Sequence, residues 1–91
     1  MYRFRLYLVG NTVAATKKIE DLKKDLSSVL GDRFELEVLD ILTNSAQAQA
    51  DNIYATPTII RMEPQPVLKV VGNFNSKQVL VKALGLKDTP S

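Results

Sequence analysis

The apolar positions of the first forty residues fall into two periods. Phe4, Leu6 and Leu8 alternate with Arg3, Arg5 and Tyr7, the repeat of a strand with one buried face. Gly10-Asn11-Thr12 ends that run and offers helix N-caps. Ala15, Ile19, Leu22, Leu26, Val29 and Leu30 then recur at helical spacing. Lys17, Lys18, Glu20, Asp21, Lys23, Lys24 and Asp25 fill the other faces. That pattern predicts an amphipathic helix, stopped by Gly31. Phe34, Leu36 and Val38 alternate with Glu35 and Glu37 and predict a second strand, running on to Ile41. A strand, a long helix and a strand make a right-handed unit with parallel strands.

The second half is patterned less firmly. Asn44 or Ser45 caps a short predicted helix through Ala46, Ala48, Ala50 and Ile53, whose alanine-rich inner face buries little. Strand signals return from Thr58 to Met62 and from Val67 to Val71, around a Pro64-Gln65-Pro66 turn. Asn75, with Gln78 three residues on, resembles a capping box for a last helix through Val79, Leu80, Ala83 and Leu84, stopped at Gly85. Val79-Leu80-Val81 also suits a strand. The expected order is β-α-β-α-β-β-α. This is one α/β domain with a mixed sheet, in the order of thioredoxin-like folds. Residues 1–43 have one reading, residues 44–86 have two, and 87–91 form a short tail.

Composition removes several chemistries. With 91 residues there is room for one domain. The small core would gain from pairing with other copies or a partner, so a homo-oligomer is expected. Twelve basic and ten acidic residues are mixed along the chain, for a net charge of +2, and no basic block points to nucleic acid or membrane. The chain has no cysteine and no histidine. Thiol-disulfide exchange, Cys/His metal sites and histidine bases are therefore excluded. The lack of cysteine fits a reducing cytoplasm, the expected compartment. MYRFRLYLVG carries arginines inside its apolar run and does not read as a signal peptide.

Candidate chemistry is sparse. Tyr7 on the first strand and Asn75-Ser76 at a helix start could serve a glutathione-linked binder or enzyme of thioredoxin-like fold. Alternation, however, puts Tyr7 on the face opposite Phe4, Leu6 and Leu8. Asp40 ends the second strand, where α/β ligands bind, but capping the following loop explains it more simply. Glu35 and Glu37 read as solvated, as do the lysines of the long helix. No catalytic residue and no cofactor is expected.

Four blocks carry a family resemblance: LYLVGNT at 6–12, ELEVLDIL at 35–42, IYATPTII at 53–60 and PQPVLKVVGN at 64–73. Together they resemble the KaiB family over nearly the whole chain. The resemblance implies a non-catalytic protein that binds the ring-shaped ATPase KaiC and, in cyanobacterial clocks, captures KaiA in the complex. It also implies two folds: a thioredoxin-like one that binds KaiC, and a tetrameric one with a rearranged C-terminal half, βαββααβ. A related thioredoxin-like domain heads the sensor kinase SasA.

By that resemblance the partner-binding residues are Asn52, Tyr54, Lys69, Gly72 and Asn73. The switch residues are Thr56, Pro57, Pro64, Pro66 and Gly72. X-Pro bonds differ little in energy between isomers, and glycine permits angles that other residues resist. There are departures from the family pattern. Thr43-Asn44-Ser45 stands for Lys-Asn-Pro, Asn52 for a lysine, Leu68-Lys69 for Arg-Arg and Gly72-Asn73 for Gly-Asp, and the acidic tail is missing. These changes mark a divergent member. They keep a KaiC-like ATPase as the expected partner and argue against a KaiA-like one and a circadian role.

Overall fold

A computed structural model describes residues 1–10, 12–72 and 76–86. The elements are β1 (Tyr2–Leu8), α1 (Val13–Leu30), β2 (Phe34–Asp40), α2 (Ser45–Ala50), β3 (Thr58–Glu63), β4 (Leu68–Val71) and α3 (Lys77–Ala83). Their order is the β-α-β-α-β-β-α read from the sequence, not the rearranged alternative. The four strands form one mixed sheet in the order β2-β1-β3-β4. β1 and β2 run parallel, and β3 runs antiparallel to both β1 and β4.

The register explains the alternation. Leu6 lies opposite Val38 on one side and Ile59 on the other. Phe4, Leu6, Leu8 and Ile59 thus share one face. They pack there with Leu22, Leu26, Val29 and Leu30 of α1 and with Leu80, Leu84 and Leu86 at the C-terminal end. A smaller cluster of Tyr7, Ile60 and Ala48 sits on the opposite face, beneath α2.

α1 begins where Thr12 accepts a hydrogen bond at Oγ1 from the Ala15 amide at 3.0 Å. It stops at Gly31, which takes a positive φ and donates its amide to Ser27 O. Three details of the second half differ from expectation. Asn44 takes the N-cap position of α2 but makes no side-chain cap bond; its side chain donates to Asp40 O instead. α2 also ends at Ala50, short of Ile53, because Asn52 turns the chain at φ +57°. The Ile53 amide then returns to Ala48 O at 2.9 Å, a Schellman-type closure. The cap of α3 is Ser76, whose Oγ accepts from the Val79 amide at 3.2 Å, while Asn75 lies outside the described residues. Val79-Leu80-Val81 is helical because helical spacing sends both Leu80 and Leu84 into the core.

Arg61 is buried on the α1/α3 face of β3, with no acid paired to it among the described residues. It donates from Nη1 to Leu84 O at 2.8 Å and from Nη2 to Pro66 O at 2.9 Å. The cation thereby satisfies orphan carbonyls at the end of α3 and ties that end to the β3–β4 turn. Its Nε has no hydrogen-bond partner among the described residues. A Cβ on Gly85 would lie 3.0 Å from Arg61 Nη1 and press on the guanidinium, a tight contact added to the strain of its positive φ.

Candidate partner-docking site

One end of the sheet gathers the C-terminal ends of β1, β2 and β4 and the start of β3. Its loops are pinned from within. Asp40 Oδ1 accepts the Gly10 amide at 3.0 Å and the Leu42 amide at 2.9 Å, so it ties the β1–α1 loop to the end of β2. The Gly72 amide donates to Pro57 O at 2.9 Å, and Thr58 Oγ1 donates to Ala55 O at 2.6 Å. The peptide bonds before Pro57, Pro64 and Pro66 are cis.

On these fixed loops stand exposed apolar side chains: Val9, Val13, Leu42, Tyr54 and Val71. Tyr54 is 90% and Val13 88% exposed. The residues interspersed with them include Thr12, Thr43 and Thr56, which carry no charge. Lys69 is an exposed charge beside this end; further exposed charge lies on the lysines of α1 and on an ion-pair ladder at the far end of the sheet. That ladder joins Arg3 to Glu35 and Glu63, and Arg5 to Glu37. Glu35 and Glu37 are therefore ion-paired rather than merely solvated. Exposed apolar side chains gathered at one place are the usual mark of an interaction site.

Beside this end, a polar seam reinforces the small apolar contact that holds α2. Asp51 Oδ2 accepts from Arg5 Nη1 at 2.8 Å and from the Tyr7 hydroxyl. The Tyr7 ring is fully buried. Burial, reinforced by the Asp51 hydrogen bond, pushes the Tyr7 phenol up to about 12. Burial alone would raise the Asp51 carboxyl, but the Tyr7 and Arg5 hydrogen bonds outweigh it and hold the carboxyl below its ordinary value. Lys69 Nζ completes the seam, donating to Asp51 O at 2.7 Å and Asn52 O at 3.1 Å.

The seam sets a pH window. Its stabilisation by Asp51 holds above the ordinary carboxyl range and is lost as pH falls through and below it. Its stabilisation by Tyr7 holds below about 10, the usual phenol value. It is lost as pH rises toward the folded value of about 12. Urea unfolding is expected to show the wild type losing more stability than Tyr7→Phe between those two alkaline values. Parallel pH profiles for the two proteins would contradict this.

The residues singled out from the sequence distribute unevenly. Asn52 and Lys69 are brought together at the end of α2, and Pro57 and Gly72 at the end of the sheet. Tyr54 and Thr56 lie on the connection between those two points. Pro64 and Pro66 sit at the opposite end, in the β3–β4 turn, and do not join the site. Asn73 lies outside the described residues. Tyr7 donates its hydroxyl beneath α2, which removes the exposed hydroxyl that the glutathione reading required. Sequence reading missed Val9, Val13, Leu42, Val71 and Asp51. For Val9, Val13 and Leu42 the available signal was an apolar residue falling just outside a periodic run.

An α/β domain with this strand order has a thioredoxin-like fold. The N-terminal domain of Synechococcus elongatus SasA superimposes with a TM-score of 0.68 at 14% identity, over 88% of this chain and 70% of that one. Chloroplastic thioredoxin z superimposes with a TM-score of 0.71 at 15% identity, over 93% and 76%. Within that fold the sequence is more specific. The KaiB domain family matches residues 5–86. The circadian clock protein KaiB3 of Synechocystis is 33% identical over 87 residues, covering 94% of this chain and 82% of that protein. The chain belongs to the KaiB family.

Proposed function

We propose that this protein is an interaction module of a Kai-type system, which docks on a KaiC-like ATPase and modulates its activity or signalling. The observation that carries the reading is the apolar sheet end with Tyr54 at its rim, in a chain of the KaiB family. Asn52, Tyr54, Lys69 and Gly72 all lie at or beside that end. The name of the Synechocystis relative places it in a circadian clock, and that kinship supports a role in a Kai-type system here. The test is titration calorimetry against the KaiC-type ATPase of the same organism, in each nucleotide state and after long incubation. Saturable binding is expected in at least one state; no binding in any of them would overturn the reading.

A further inference from the structure

Lys69 has an exposed side chain on an edge strand, where a contact to a partner would be the ordinary assignment. Its ammonium is already engaged. Both of its bonds go to carbonyl oxygens at the C-terminus of α2, those of Asp51 and Asn52. A six-residue helix leaves several carbonyls without helical partners, and a cation there complements the helix dipole. The same cation stabilises a costly conformation. Asn52 is the non-glycine residue with positive φ among the described residues. Asparagine tolerates that region better than most residues but still pays strain for it.

Just beyond this turn is Tyr54. The half-buried Ile53 packs against the small cluster beneath α2, and its amide bonds Ala48 O. Ala55 O is held by Thr58, and Pro57 O by Gly72. The exposed tyrosine therefore rides on a short bridge fastened at both ends, and Lys69 fastens one of them. An aromatic side chain held in place before binding loses less freedom on docking.

We infer that Lys69 is a positioning residue, which presents Tyr54 to the partner by capping α2 instead of touching the partner itself. The inference rests on the docking role proposed above and assigns work within it. Its first test needs no partner. Amide exchange in free Lys69→Met is expected to quicken at Asn52 and Ile53, with Lys69→Arg restoring the wild-type rates. Unchanged exchange in Lys69→Met would overturn the inference.

The second test is a double-mutant cycle in the ATPase titration. Lys69→Met is expected to weaken binding about threefold to fivefold, the scale of a cation at a helix C-terminus. In a Tyr54→Ala background the same change is expected to cost nothing further. An equal loss in both backgrounds would make Lys69 a direct contact and overturn the inference. If the wild type fails to bind, the docking role falls, while the exchange measurement still decides what Lys69 does.

Discussion

Replacing Asp51 with alanine is expected to destabilise the protein by about 3 kcal/mol, a large share of what a domain of this size holds in reserve. Asp51 accepts from the Tyr7 hydroxyl and from Arg5 at once. Tyr7 is fully buried, so its hydroxyl cannot turn to water. What remains for it is Gln47 O at 3.3 Å. A buried donor left poorly satisfied costs about 1–3 kcal/mol. Arg5 keeps Glu37 at 2.8 Å and is partly exposed, which limits its share to less than a fully buried broken pair would cost. Asp51→Asn retains a side-chain acceptor and is expected to lose about half as much. Urea unfolding of both variants measures these values. A loss below about 0.5 kcal/mol for Asp51→Ala, the range of an ordinary surface change, would show that the seam does not hold α2.

Tyr54→Ala is expected to behave in the opposite way. The side chain is 90% exposed, so folding stability should change by less than about 0.5 kcal/mol. Affinity for the KaiC-type ATPase should fall about 30-fold, as for an aromatic anchor at an interface. The difference between the two measurements matters more than either alone. A residue that contributes to binding and not to stability belongs to the surface that docks. The remaining affinity should depend weakly on salt, because the exposed apolar side chains of this end are separated by uncharged residues. A variant that binds like the wild type would remove Tyr54 from the interface.

Much of the first half was legible in the sequence. β1, α1 and β2 each show one unbroken period, and Thr12 and Gly31 mark the limits of α1. The end of α2 was not legible. It depends on the left-handed turn at Asn52, a local choice that asparagine permits without announcing. The seam was hidden for a different reason. Arg5 and Tyr7 meet Asp51 across more than forty positions, and only the docking of α2 on the outer face of β1 brings them together. Arg61 was not legible either: it shares the inner face with Ile59, and the carbonyls it finds there belong to the end of α3 and the β3–β4 turn. The apolar sheet end was passed over because Val9, Val13 and Leu42 lie just outside the periodic runs that pattern reading scores.

The docking end can be located directly. Amide exchange across the chain would be compared for the free protein and its complex with the KaiC-type ATPase. Protection is expected in the segments around Val9, Val13, Leu42, Tyr54 and Val71, with none on the lysine-bearing outer face of α1. Protection centred on that lysine face, with the sheet end exchanging as in the free protein, would contradict the assignment of this end as the docking surface.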